Sequence, residues 1–438
     1  MSDIYQRPAE LLQNLIRFDT TNPPGNEAEC IQYINSLLTG MGVETTVVGK
    51  DPKRPNLVAR LKGRGEAPGL LMYGHVDVVT TANQDWAHPP FAGVIEDGYV
   101  WGRGAVDMKG GVAMALAAFM RAKAEGISLP GDVVFCAVSD EEQGGIYGAK
   151  YLVEEHAHLF DGIQYAIGEF GGVPVYMRGK KLYLIQVAEK QKCSVRATVR
   201  GPSGHASFRH KGVATAKLGR MLTALDENHL PVHITPAARK MIEAMADALT
   251  GDEGAILREL LDPARTEATL EKLDAEARRF FYPLLHNMAN PTILQGGNKI
   301  NVIPPEITVD LDGRLLPGLT PDDLIRELRG IVGDDIDLEV FNHLPGPPEA
   351  DLVWFDTLAE ALREADPEGI PVPFIVSGGT DARWIARLGI HCYGYLPLDV
   401  PQDFDIWSVF HAADERVPVS ALEFGTEVIY QIMSRTGE

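Results

Sequence analysis

The chain opens on two stretches of helical period. Leu11, Leu12, Leu15 and Ile16 recur on one helix face, and after the Pro23-Pro24-Gly25 turn Ile31, Ile34, Leu37 and Leu38 do the same. Short apolar runs then read as strands: VETTVVG, NLVARL, GLLMYGHVDVV, DVVFCAVSD and YAIGE. Helical stretches over 111–125 and 145–156 separate the later runs. That alternation predicts crossover connections in a mostly parallel central sheet with helices on both faces, an α/β fold. Near Lys192 the pattern changes: CSVRATVRG and ITVDLDGRLLPG read as strands, GVATAKLGRMLTALDE as a helix, and another helix starts near Pro321. Residues 235–290 are charged and helical in pattern, without a strand signal. From residue 346 the α/β pattern returns with PVPFIV, GIHCYGYLP and an amphipathic helix from Val419 to Met433. The expected organisation is an α/β domain in two parts, 1–191 and 346–438. Between them lies an inserted α+β domain, 192–345, with a helical insertion at 235–290.

Composition narrows the classes of partner. Of 438 residues, 61 are acidic and 40 basic, a net charge of −21 that repels phosphate backbones and anionic lipid. Nucleic acid and membrane are therefore not expected partners. The N-terminus has no basic head followed by an apolar run, and no stretch approaches the roughly 18 apolar residues of a spanning helix. A cytoplasmic location is expected. Cys30, Cys136, Cys193 and Cys392 are widely spaced and read as isolated reduced thiols.

Parallel sheets carry their sites at the carboxyl ends of the strands, and polar residues gather at those ends here. His75 and Asp77 end GLLMYGHVDVV, where strand alternation points both to one side. A metal-bound imidazole needs such a carboxylate or a carbonyl to fix its tautomer, although His beside Asp is also an ordinary polar pair. Asp107 sits in the glycine-rich run GRGAVDMKGG before a helix. An acid at the third position of a nucleotide fingerprint would repel a pyrophosphate, so the turn suits a cation, or simply a helix cap. Glu141 and Glu142 follow DVVFCAVSD side by side. Neighbours in an extended chain point apart, so one can hold a metal while the other handles a proton; a solvated acidic turn is the plain alternative. Glu169 ends YAIGE, and His411 lies in VFHAADE shortly before the last helix. No GxSxG elbow supports a serine hydrolase.

Taken in order, HxD, GRGxxDxKGG, DEExGG, a strand-terminal GE and a late HxxDE resemble the pattern of the dinuclear zinc metallopeptidases and amidohydrolases. That family includes glutamate carboxypeptidase, acetylornithine deacetylase, succinyl-diaminopimelate desuccinylase and aminoacylase. The resemblance spans essentially the whole chain and implies a zinc-peptidase catalytic domain interrupted by a lid or dimerisation domain. It implies two zinc ions per subunit, with cobalt or manganese as alternatives. His75, Asp107 and Glu169 would hold one ion, and Asp107, Glu142 and His411 the other. Asp77 would stand behind His75, Glu141 would be the general base for a metal-bridging hydroxide, and Asp107–Met108 is a candidate cis peptide. His205, in GPSGHAS, would stabilise the oxyanion, often across a dimer. Asn301 and Arg314 would meet the substrate; Arg314, flanked by ITVDLDG and the Leu-Leu-Pro turn, reads as a buried cation that would fork onto a free carboxylate, with a structural salt bridge to Asp310 or Asp312 as the alternative. Gly378, Gly379 and Thr380, in SGGTD, would line the pocket. The implied activity is amide hydrolysis in a dipeptide or N-acyl amino acid bearing a free carboxylate, by a homodimer whose usual contact face the 235–290 insertion either extends or blocks. A non-catalytic metal-binding scaffold of the same fold is the alternative.

Overall fold

The computed structural model describes residues 3–347 and 352–436. Contacts divide the chain into two compact units, one of Met1–Val187, Asp351–Phe374 and Thr380–Glu438, the other of Ala188–Ala350 and Ile375–Gly379.

The first unit is built on a nine-stranded sheet. Its path runs Thr45–Val48, Asn56–Leu61, Val133–Val138, Gly69–His75, Ile163–Gly168, His391–Gly394, Lys180–Glu189 and Ile370–Val376, with Val173–Met177 paired to Lys180–Glu189 as a hairpin. The four consecutive strands from Val133–Val138 to His391–Gly394 are parallel, so their carboxyl ends open on one edge. Leu71, Tyr73, Val134, Cys136 and Val138 pack on one face with Ala149, Leu152, Trp384 and Ile385. The Lys109–Glu125 helix covers the other face, where Gly74 lies so close that a Cβ there would meet Met108 at 2.6 Å. Cover on both faces explains why these strands read as unbroken apolar runs.

The second unit holds a four-stranded antiparallel sheet in the order Met288–Gln295, Glu306–Leu315, Gln191–Arg200, Asp337–Leu344. Ile307, Val309, Leu311 and Leu315 point to one core, which Met221 of the Ala214–Glu227 helix and Leu324 and Leu328 of the Pro321–Val332 helix complete. Thr320 and Asp323 close a capping box on the latter helix, with Pro321 at its first position. The insertion forms the helices Pro236–Leu249, Gly251–Glu259, Thr266–Leu270 and Ala275–Leu285. It ends sooner than its pattern suggests, because the edge strand begins at Met288. Pro291 masks that strand: it has no N–H for the ladder, and the register shifts between Pro291 and Ile293.

Candidate active site

The parallel strand ends and the loops beside them bring three acids and two histidines together in the first unit. His75 ends its strand level with Val138, the last residue of the next strand, and Glu169 follows Gly168 on the other side. His75 Nε2 lies 3.1 Å from Asp107 Oδ1 and 3.2 Å from Glu169 Oε2. The other oxygen of Asp107, Oδ2, is 3.0 Å from Nε2 of His411, which stands 3.6 Å from Glu142 Oε2. Two groups result, His75–Asp107–Glu169 and Asp107–Glu142–His411, each with its ligand atoms within 4.8 Å of one another. The Asp107–Met108 peptide is cis.

Electrostatics in this cluster are strained by burial. Oε1 of Glu142 and Oε1 of Glu169 are buried without a hydrogen-bond partner. Burial, reinforced by repulsion from Glu169, pushes the Glu141 carboxyl well above its ordinary range. Burial opposes protonation of His75, but hydrogen bonds to Asp107, Asp77 and Glu169 outweigh it and raise the imidazole. Hydrogen bonds to Asp107 and Glu142 lift His411 to about 10. A set of two imidazoles and three carboxylates with orphaned buried oxygens is one that divalent cations satisfy.

Glu142 joins a triad and Glu141 does not, but strand alternation is not the reason. They lie in the 3-10 turn Glu141–Gln143, entered through Asp140 at φ 73. Two N–H groups of that turn, those of Glu141 and Glu142, donate to the two oxygens of Asp77 at 3.1 Å each. Asn22 donates to Asp77 Oδ2 as well. Asp77 meets His75 mainly through its backbone carbonyl, 2.9 Å from Nδ1, against 3.5 Å for its carboxylate. Its side chain therefore shapes the acidic turn more directly than it orients the imidazole. Asp140 is itself fixed by Asn22, Arg54 and the Tyr147 N–H.

Sequence reasoning missed the residue that holds the Asp107 loop. Glu415, fully buried, accepts the N–H groups of Gly104, Val106 and Asp107 at 2.7–3.0 Å and an Arg103 guanidinium hydrogen bond at 2.7 Å. Arg103 also reaches Gln84 and the carbonyl of His411, tying both sides of the cluster together. The only signal for Glu415 in sequence is its place in VFHAADE.

A family model described as peptidase family M20/M25/M40 matches residues 71–435. The chain belongs to peptidase family M20/M25/M40. Among curated relatives, this M20 peptidase is 27% identical over 387 residues to a succinyl-diaminopimelate desuccinylase of Magnetococcus marinus, covering 87% of this chain and 86% of that protein. It is 25% identical to the human N-fatty-acyl-amino acid synthase/hydrolase PM20D1, covering 84% and 75%. Its fold matches that of the M20 family metallo-carboxypeptidase Sso-CP2 from Sulfolobus solfataricus with a TM-score of 0.68, at 17% identity and 98% and 99% coverage. The protein is thus a hydrolase of peptide-like amide bonds with two candidate metal-ligand groups, and the scaffold alternative is not favoured.

Most of the other candidate residues of the M20 peptidase lie in the second unit. Gly204–His205 pairs with Val302–Ile303, and the Ala206 N–H donates to the Asn301 carbonyl, which sets His205 beside Asn301. His205 is exposed, with Nδ1 2.7 Å from Ser207 Oγ; Oδ1 of Asn301 is buried without a partner. Arg314 belongs to the larger sheet instead. It is not a buried, unpaired cation: its side chain is 33% exposed and Nε and Nη2 fork onto Asp312 at 2.8 and 3.2 Å. The burial that pointed Arg314 to a substrate anion is absent, and the arginine makes the salt bridge to Asp312 that was the expected alternative. Gly378 and Gly379 group with the second unit and Thr380 with the first, where Thr380 starts the turn leading into the Ala382–Ile385 helix.

Among the described residues, no helix is long and apolar enough to cross a membrane.

Proposed function

We propose that this M20 peptidase hydrolyses the amide bond of a dipeptide or N-acyl amino acid next to a free carboxylate, with two zinc ions held by the two triads. Asp107 carries the reading, because it offers one oxygen to the His75–Glu169 side and the other to the His411–Glu142 side. The metal pair, when bound, supplies the Lewis acidity that polarises a carbonyl and acidifies water. Glu141 takes the proton of the attacking water and delivers it to the leaving nitrogen. Its carboxylate belongs to neither triad and is 13% exposed, so it faces the site without being consumed as a ligand. Asp77 sets the direction of Glu141 by holding its backbone N–H. His205 and Asn301 serve the oxyanion, Gly378, Gly379 and Thr380 line the substrate pocket, and Arg314 contributes to substrate binding only if substrate displaces Asp312.

A second copy of the chain is the proposed oligomeric partner. Met288–Gln295 is an edge strand with Ile293 and Leu294 half exposed, an apolar edge that pairing would cover. None of the four cysteines forms a disulfide, which supports a cytoplasmic location. The test is a panel of dipeptides and N-acyl amino acids with the zinc-loaded enzyme and its Glu141→Ala variant. The variant should keep its metal and lose turnover by about 10²–10⁴-fold. Near-wild-type turnover, or a wild type that hydrolyses nothing on the panel, would contradict the proposal.

A further inference from the structure

Taking the hydrolase reading as premise, we propose that Arg383 is the receptor for the free carboxylate of the substrate. Among the described residues, Arg54 is held by the carboxylates of Glu27 and Asp140, and Arg103, although its own Nε has no partner, is held at 2.7 Å by the carboxylate of Glu415 and by Gln84. Arg383 is different. Its side chain is 11% exposed, its buried Nε has no hydrogen-bond partner, and the single carboxylate within 4.0 Å among the described residues is that of Glu141, 3.9 Å from Nη2. That distance is beyond hydrogen-bond range. Asp381, also buried with both oxygens unpartnered, forms no ion pair with it. A cation withdrawn from water with donors to spare is expensive to keep unless an anion meets it.

Its position suits one anion in particular. In a dipeptide or N-acyl amino acid a single Cα separates the scissile nitrogen from the carboxylate. The receptor must then stand within a few ångström of the group that protonates that nitrogen, and Arg383 stands beside Glu141. The helix carrying it is fixed to the same loop, because Trp384 Nε1 donates to the Gly144 carbonyl at 3.0 Å. A planar guanidinium with free donors matches a carboxylate in two parallel hydrogen bonds. Arg314, whose fork is already occupied by Asp312, is the weaker candidate.

The experiment compares each substrate that the zinc-loaded enzyme cleaves with its C-terminal amide, in wild type, Arg383→Met, Arg383→Lys and Arg314→Met. Wild type should favour the acid. Arg383→Met should lose about 10²-fold in kcat/KM on the acid, chiefly through KM, and no more than a few-fold on the amide. Arg383→Lys should recover part of the loss, with thermal melts showing that both variants fold. An equal loss on acid and amide would overturn the proposal, as would an acid preference that survives Arg383→Met and disappears in Arg314→Met. A zinc-dependent wild type without acid preference overturns it and leaves the hydrolase reading standing. If nothing on the panel is cleaved the hydrolase reading falls, and calorimetric binding of an N-acyl amino acid still decides the receptor: equal affinity for wild type and Arg383→Met overturns it.

Discussion

Replacing Glu415 by Ala should nearly unfold the first unit, although Glu415 belongs to neither triad. The substitution strands three buried N–H groups, those of Gly104, Val106 and Asp107. Each such donor costs about 1–3 kcal/mol. It also strips the carboxylate partner from Arg103, a loss worth about 3–5 kcal/mol when a buried ion pair is broken on one side. These effects share one loop and do not add, and Arg103 keeps Gln84 and the His411 carbonyl. A net loss of about 4–6 kcal/mol follows, comparable with the whole stability of many domains. Glu415→Gln keeps an acceptor oxygen but turns an amide N–H toward backbone N–H donors, and should lose about 2–3 kcal/mol. Urea unfolding followed by far-UV circular dichroism gives the comparison. A Glu415→Ala unfolding free energy within about 0.5 kcal/mol of wild type, the range of ordinary surface substitutions, would refute the assigned role of this carboxylate.

Lys190 supplies a pH test in the second unit. Burial, with repulsion from Arg314, lowers its ammonium to about 7. Between pH 7 and about 10.4 the unfolded chain therefore binds more protons at this residue than the native one, so its contribution to stability rises with pH. Lys190→Met should flatten that rise in urea midpoints measured at pH 7 and 9.5, even though it also frees the Pro283 and His286 carbonyls that Lys190 now holds. Gly110→Ala should destabilise the first unit by about 1–3 kcal/mol and weaken metal binding. A Cβ there would sit 2.2 Å from the Ala105 carbonyl oxygen and push the Asp107 loop, an outcome that the same unfolding assay and a metal titration would register.

Much of this molecule is legible in the sequence because parallel strands concentrate function at their ends. His75, Glu142 and Glu169 fall at three such ends, and apolar runs bounded by polar residues announce them. What escaped the sequence acts at long range or breaks local rules. Asn22 reaches Asp77 and Asp140 across 55 and 118 positions, and no local pattern marks it. The turn at Glu141–Gln143 follows a residue of positive φ that strand logic cannot anticipate. The hairpin Val173–Met177 and Lys180–Glu189 blurs two short apolar runs into the end of one domain and the start of the next. Arg314 was read as buried from its apolar neighbours. On an alternating strand those neighbours face the core while Arg314 itself points to the other side, where Asp312 meets it.

Counting bound metal tests the central claim most directly. Chelator-treated protein, titrated with zinc by calorimetry and checked by elemental analysis, should take up two ions per chain. Glu169→Ala and Glu142→Ala should each retain one, and Asp107→Ala should lose both tight sites, because Asp107 alone serves both triads. A wild type that binds one ion or none, or an Asp107→Ala chain that still binds two, would contradict the account.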